Sequence, residues 1–280
     1  MGCSDADYEY LRNLVHSESA NAIDPSKNSL FERRLTEVTR LAGAQSLEGL
    51  VAILRADRPA HLHRAVAEAM TVNETSFFRD ARPFDAIKNV VLPRLIEARR
   101  KARQLRIWSA ASSTGQEAYS LGILLFEAYP ELATWDVKIL GTDISRGVTD
   151  YARQGRYRRM EVNRGLPARL LTKYFRRVGD EWEVCDRVRS VCEFRHMNLS
   201  EPWAGLPRFD LVLLRNVLLY FPERDRRQLF ATVHKHMRPD SYLVLGNSEQ
   251  AEDSSNAFQA EFAQECYFYK PIVACQDLAP

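Results

Sequence analysis

The chain is 280 residues long, with 45% hydrophobic, 27% charged and 10% aromatic residues. That length fits one large domain or two of moderate size, and the composition excludes wholesale disorder, a collagen repeat and a disulfide-dense scaffold. Lys plus Arg is 39 against 37 Asp plus Glu, a net charge of +2, which excludes a general nucleic-acid binder while leaving room for a local basic face.

The opening Met1-Gly2-Cys3 has the look of a lipidation start, but Ala6 stands where the myristoylation pattern needs Ser or Thr. Asp5, Asp7 and Glu9 occupy the place of a secretory apolar core. Tyr8 to His16 is a short amphipathic helix, and Asp24-Pro25-Ser26 a turn and cap. Leu30, Leu35, Val38 and Leu41 recur at helical spacing among Arg33, Arg34, Glu37 and Arg40. Gly43 ends that helix, Ser46 caps Leu47 to Leu54, Asp57-Arg58-Pro59 breaks the chain again, and His61 to Met70 is a further helix. No segment of strand period occurs here, so residues 1–70 are expected to form a helical domain.

Thr71 to Asp80 is a polar bridge, and 71–83 is expected to be a linker. Phe84 to Arg103 is helical. Then strands and helices alternate: strand Leu105 to Ser109, helix Gln116 to Ala128, strand Val137 to Gly141, helix Arg146 to Arg153. Later come strand Asp210 to Leu214, helix Glu223 to Met237, strand Tyr242 to Gly246 and strand Glu265 to Lys270. Such alternation predicts a doubly wound parallel sheet over 84–275. Between them Leu166 to Phe175 is helical, while Glu181 to Val184 and Arg187 to Phe194 look like short strands of an inserted β ribbon spanning about 174–195. The most apolar stretch, Leu211 to Phe221, is broken by Arg215 and Asn216, well short of the roughly 18 apolar residues of a membrane span. The five cysteines form no C-x-x-C pair, so reduced thiols in the cytoplasm and no metal are expected.

Three strand ends carry candidate chemistry. The first strand enters Ser109-Ala110-Ala111-Ser112-Ser113-Thr114-Gly115, whose small side chains let a ligand approach the backbone. The second ends in Gly141-Thr142-Asp143, an acid placed to accept from ribose hydroxyls. Glu117, just inside the following helix, would repel a pyrophosphate but attract an amine. Adenosine with an ammonium-bearing tail fits, and S-adenosylmethionine has both parts; an α/β protein without such a ligand is the alternative. The third strand end, Arg215-Asn216, points into the same crevice unless Arg215 only caps a sheet edge.

In these segments the chain resembles the bacterial CheR-type chemotaxis receptor methyltransferases, which are protein-glutamate O-methyltransferases. The resemblance runs from about Ser29 to Lys270. It rests on Thr71-Val72-Asn73-Glu74-Thr75-Ser76-Phe77-Phe78-Arg79-Asp80, Trp108 through Ser120, Gly141-Thr142-Asp143-Ile144-Ser145, Asn198-Leu199, Phe209 through Phe221, and Leu245-Gly246-Asn247-Ser248-Glu249. It implies an α/β fold: a Rossmann-like class I S-adenosylmethionine-dependent methyltransferase domain with a small inserted antiparallel β subdomain, preceded by an all-α N-terminal domain. It assigns S-adenosylmethionine contacts to Asn73, Thr75, Arg79, Glu117, Asp143, Asn198, Leu199, Arg215 and Asn216, with Arg79 and Tyr220 nearest the transferred methyl and S-adenosylhomocysteine as product.

The implied partner is the glutamate-rich helical methylation region of chemoreceptors, with no nucleic acid, no membrane insertion and a monomeric enzyme. Here Gln116-Glu117-Ala118 replaces the family's usual Glu-Glu-Pro. The short, Gly-poor stretch around Gly179-Asp180-Glu181 argues against a grip on a receptor's C-terminal pentapeptide, so pentapeptide-independent recognition is expected. Arg153, Arg156, Arg158, Arg159 and Arg164, with Arg33, Arg34 and Arg40, would supply a basic docking face. The rival functions are a methyltransferase acting on another substrate and a cofactor-binding signalling adaptor without turnover. Base-methylating enzymes on this fold typically carry an Asn-Pro-Pro-Tyr-like segment, whereas Arg215-Asn216-Val217-Leu218 stands here.

Overall fold

The structure is a computed structural model that describes residues 3–57, 59–251 and 257–272. Met1 and Gly2 of the lipidation-like start, Arg58 of the second break and Cys275 lie outside the described residues. The chain divides into two compact units: residues 1–72 with 198–202 and 219–225, and residues 73–197 with 203–218 and 226–280.

The first unit is built on helices Asp5–Ser19, Ser29–Arg34, Thr36–Leu41, Leu47–Asp57 and Ala60–Ala69. Ser4 opens the first with a capping box, accepting from the Asp7 N–H while the Asp7 carboxylate accepts from the Ser4 N–H. The single helix expected across Leu30 to Leu41 is two. The chain turns at Leu35, and Phe31, Leu35 and Val38 all enter the core with Leu11, Val15, Leu50, Leu54 and Val66. Arg34 donates to the carbonyls of Met70 and Thr71, at 2.9 and 2.8 Å, where the last helix leaves carbonyls without intrahelical partners.

The second unit carries β1 Gln104–Ala110, β2 Asp136–Asp143, β3 Arg156–Arg158, β4 Phe175–Val178, β5 Glu181–Val184, β6 Cys192–His196, β7 Phe209–Leu214, β8 Met237–Leu245, β9 Phe258–Ala263 and β10 Cys266–Pro271. Seven form one sheet in the order β6-β2-β1-β7-β8-β10-β9, and three form a second sheet in the order β3-β5-β4. In the large sheet every pairing is parallel except those of β10. β7 is buried at all six positions and β1 through its last four, the near-continuous apolar run of a strand covered on both faces. The connecting helix Gln116–Ala128 is likewise buried almost all round. Trp108 anchors the centre, fully buried, stacked on Phe209 and donating from Nε1 to Thr142 at 2.9 Å.

The inserted ribbon differs from the expectation. Residues 187–194 do not supply its second strand: Asp186–Arg189 is a helical turn, and Cys192–His196 pairs in parallel with β2 as an edge of the large sheet. Phe194 explains the choice. It packs against Gly141 of β2 so closely that a Cβ there would lie 2.5 Å from the ring, a complementarity only the large sheet offers. The ribbon's other strands are β4, which the helical reading of Leu166 to Phe175 overran, and the unforeseen β3.

Glu183 of β5 organises this small sheet. It is 3% exposed and faces Arg156 across the β3 pairing, Arg176 across the β4 pairing, and Arg189 of the following turn. Burial acts to raise its pKa, but the hydrogen bonds from Arg176 and Arg156 outweigh burial and hold it below the ordinary carboxylate range. A depressed native pKa stabilises above the unfolded value, near 4.5, and that stabilisation is lost as pH falls through the native value. Amide protection factors across β3, β4 and β5, corrected for the intrinsic exchange rate at each pH, are therefore expected to fall below about pH 4.5, and Glu183→Gln to remove this acid step by losing protection already at neutral pH.

Candidate functional site

The parallel register brings three strand ends level. Ala110 pairs with Thr142 of β2 on one side and Leu214 of β7 on the other, so Asp143, the loop after Ala110, and Arg215 leave the sheet side by side. β1 is also where the strand order reverses, and the crevice outside the carboxyl ends at such a point is the ligand site of open α/β sheets.

The loop after β1 is tightly wound. Ala111, Ser113 and Gly115 have φ of 55°, 52° and 91°, and a Cβ on Gly115 would lie 2.8 Å from Ala152. Asp143 holds its winding: one carboxylate oxygen accepts the Ser113 N–H at 2.9 Å, the other the Ser145 N–H at 3.0 Å. Tyr157 of β3, fully buried, reaches the loop from the ribbon and donates to the Thr114 carbonyl at 2.7 Å. Burial pushes its phenol well above the ordinary value, so it stays a donor.

Arg215 is the centre of the charge network. Its side chain is 1% exposed. Nη1 donates to Glu117 at 2.8 Å; Nη2 donates to the Arg79 carbonyl at 3.0 Å and to Asp80 at 3.2 Å. The guanidinium lies over Phe84 at 5.6 Å. Glu117 accepts from the Ser109 hydroxyl at 2.7 Å with its other oxygen. β7 is a central strand, so the edge-capping alternative for Arg215 does not hold.

The linker segment belongs to this unit and is pinned to it. Phe77 is fully buried, edge-on to Tyr157 and Phe175 at 5.0 and 5.4 Å. The Phe78 N–H donates to Ser120 at 2.9 Å, and Ser113 donates to the Asn73 carbonyl at 2.8 Å. Phe78 and Asp80 take φ of 48° and 56° on either side of Arg79, a strained backbone held by its surroundings. The Arg79 guanidinium donates to the Glu74 carbonyl at 2.8 Å. Asp80 is engaged by Arg215, and Asp85 lies 3.7 Å from Lys88. Glu74 itself bonds Arg164, which holds its carboxyl below the usual range.

Arg79, Glu117 and Arg215 are thus joined by one set of hydrogen bonds, and Asn73 and Asp143 by a second through Ser113. Thr75 lies on the extended segment between two of them, and Asn216 follows Arg215 with φ 58°. Asn198, Leu199 and Tyr220 fall in the helical unit. There the Asn198 amide donates to the Glu18 carbonyl at 2.6 Å and its oxygen accepts from Ser200, half-buried Leu199 follows it, and the Tyr220 carbonyl accepts the Ala22 N–H at 2.9 Å. Sequence reasoning did not assign roles to Asp80, Ser109, Ser113 or Tyr157. The first three stand inside the quoted motifs; Tyr157 has no signal of its own, because only the ribbon's fold brings it to the loop.

A parallel sheet with one antiparallel strand near its far edge, a small-residue loop and acids at the strand ends define an S-adenosylmethionine-dependent methyltransferase domain. Residues 73–267 match the CheR methyltransferase S-adenosylmethionine-binding domain and residues 6–71 the CheR methyltransferase all-alpha domain. The chain belongs to the CheR methyltransferase family. It is 37% identical over 264 residues to chemotaxis protein methyltransferase 1 of Pseudomonas aeruginosa, covering 92% of this chain and 95% of that protein. It is 33% identical to chemotaxis protein methyltransferase Cher2 of Pseudomonas putida, with the same coverages. It is also 32% identical to a chemotaxis protein methyltransferase of Vibrio parahaemolyticus, covering 95% and 97%. Among the described residues no helix is long and apolar enough to cross a membrane.

The residues present fit the cofactor. Glu117, Asp143 and Asp80 outnumber Arg215 and Arg79 around the strand ends, an excess of one negative charge suited to a ligand bearing a sulfonium and an ammonium. The buried Nε of Arg215 has no hydrogen-bond partner, and the carboxylate of an amino-acid tail would supply one. Breaking a buried pair by removing one partner costs about 3–5 kcal/mol. Arg215→Ala is therefore expected to lower the unfolding free energy from denaturant titration by that amount and to abolish S-adenosylhomocysteine binding in calorimetry. Glu117→Gln keeps the shape and is expected to weaken that binding about 10–100-fold, since a hydrogen bond to a charged group contributes about 1.5–3 kcal/mol.

Proposed function

We propose that this methyltransferase esterifies glutamate side chains in the helical methylation region of chemoreceptors, giving glutamyl methyl esters for sensory adaptation in the cytoplasm. The observation that carries this reading is Arg79: a guanidinium held by one nitrogen on the Glu74 carbonyl, on a backbone strained at both flanking residues. Such a cation suits a substrate that is itself an anion. The relatives' shared description as chemotaxis protein methyltransferases supports it.

S-adenosylmethionine, when bound, supplies an electrophilic methyl group. Asn73, Thr75, Glu117, Asp143, Asn198, Leu199, Arg215 and Asn216 hold and orient it in this reading, and Tyr220 and Arg79 place the acceptor. A glutamate carboxylate has a reference pKa of about 4.3 and is already ionised at pH 7, so no protein group has to take a proton. The work left is positioning and exclusion of water, and in-line placement at about 3–3.5 Å contributes several kcal/mol of the acceleration. Arg79 must steer the carboxylate without pairing so tightly that the nucleophile is quenched.

Recognition independent of a receptor's C-terminal pentapeptide belongs to the same reading. It is supported by the two-residue connection Gly179-Asp180 between β4 and β5, with Gly179 at φ 60°. The basic docking face finds less support. Arg153 pairs with Asp150, Arg156 with Glu183, Arg164 with Glu74 and Arg40 with Glu37, while Arg34 is used on helix carbonyls. Their charge is partly offset by these acids, which weakens the positive field such a face would present.

Transfer of tritiated methyl from S-adenosylmethionine to a receptor cytoplasmic fragment is expected, with the label released as methanol by alkali. Alkali-stable label would place the methyl on nitrogen and overturn the ester reading, and no transfer would leave a cofactor-binding adaptor. Arg79→Ala is expected to lower kcat/KM for the receptor about 10–100-fold, the equivalent of one lost charge-assisted contact. Removing the receptor's last five residues is expected to leave the rate unchanged.

A further inference from the structure

Two loops leave the sheet beside the crevice, one after β7 and one after β8. A single carboxylate outside the sites considered so far joins them. Glu249, 8% exposed, accepts the Asn216 N–H at 2.7 Å and the Gly246 N–H at 2.8 Å on Oε2, and the Leu218 N–H at 2.8 Å on Oε1. All three donors are backbone amides. A buried charge is costly unless hydrogen-bonded, and three charge-assisted bonds from amides fixed in two loops turn that cost into geometric constraint.

The constraint acts on one residue above all. Asn216 follows Arg215 and stands at φ 58°, a left-handed conformation that an Asn tolerates but a chain does not adopt for nothing. Its N–H is one of the three amides held. Leu218, two residues on, is held by the other oxygen and opens the short helix Leu218–Tyr220. Gly246 makes the arrangement possible, since a Cβ there would lie 2.6 Å from Glu249 Oε2 and 3.0 Å from both the backbone and side-chain nitrogens of Asn216.

We propose that Glu249 is a positioning residue for cofactor binding. It fixes the backbone after β7 so that Asn216 presents its side-chain amide to the amino-acid or ribose part of the bound S-adenosyl ligand. This rests on the assignment of Asn216 to the cofactor, which the experiment examines separately. Glu249 itself does not touch the reacting atoms.

The test is the dissociation constant of S-adenosylhomocysteine, measured by calorimetry on the full chain with the folded fraction fixed by circular dichroism. Glu249→Gln leaves an amide whose NH2 group must face at least one of the three N–H donors. It is expected to weaken binding about tenfold or more while the KM for the methyl acceptor stays within twofold. Gly246→Ala, which displaces the carboxylate without removing it, is expected to give the same pattern and serves if the first variant does not fold. A merely structural role would shrink the folded fraction and leave the dissociation constant of the folded molecules alone.

Asn216→Ala is measured in parallel. If it loses affinity while Glu249→Gln and Gly246→Ala stay within twofold of the parent, the positioning role is overturned and the cofactor assignment stands. If all three stay within twofold, both are overturned.

Discussion

A single buried guanidinium ties together the parts of the methyltransferase unit that sequence keeps far apart. Arg215 ends a central strand, Glu117 starts the helix after another strand, and Arg79 and Asp80 lie in a segment outside the sheet altogether. A buried ion pair adds little stability compared with well-packed apolar side chains. Its value here is geometric, because three hydrogen bonds of fixed direction constrain how the three segments are arranged. The level register of β1, β2 and β7 makes that arrangement reachable. The strain at Phe78 and Asp80 is tolerated because Phe77, Ser120 and Arg215 fix the segment around it.

The same device recurs at each junction of the fold. Asp143 winds the loop after β1 onto the loop after β2 through two backbone amides. Glu249 joins the loops after β7 and β8 through three. Glu183 binds the strands of the ribbon through arginines, and Asp210 does so at the opposite end of the sheet, accepting the Arg106 N–H at 2.7 Å and an ion pair from Arg99 at 2.6 Å. In each place a carboxylate does what loops of ten or more atoms cannot do by packing alone: it satisfies several buried donors at once and fixes their directions. Of the arginines that suggested a docking surface, Arg156 pairs with Glu183, and Arg40, Arg153 and Arg164 pair with other acids.

The division of the chain shows in its hydrophobic period. Helical spacing in the first seventy residues and strand–helix alternation after residue 104 are properties of neighbouring residues, so the helices and most of the large sheet follow from local pattern. The failures share a cause. Leu30 to Leu41 was one helix by spacing, and a core that takes Leu35 as well as Phe31 and Val38 bends it. Cys192 to His196 is strand-like by composition in either sheet, and only the fit of Phe194 against Gly141 selects the large one. β3, β4 and β9 are short, and strands of three to six residues carry too little period to be distinguished from loop or helix end.

The sequence by itself determined the small-residue loop, Asp143, Glu117 and the Arg215-Asn216 pair at or beside the strand ends, and Arg79 in the segment before the sheet, because each belongs to a run of neighbouring residues whose type and order can be read directly. What only the tertiary structure decided is which of them act on one another. Hydrogen bonds between residues 79, 117 and 215, the reach of Tyr157 from the ribbon to Thr114, and the grip of Glu249 on Asn216 join positions 33 to 136 residues apart along the chain. No local pattern encodes such pairs, since they exist only once the parallel register has levelled the strand ends and burial has removed water as the competing partner.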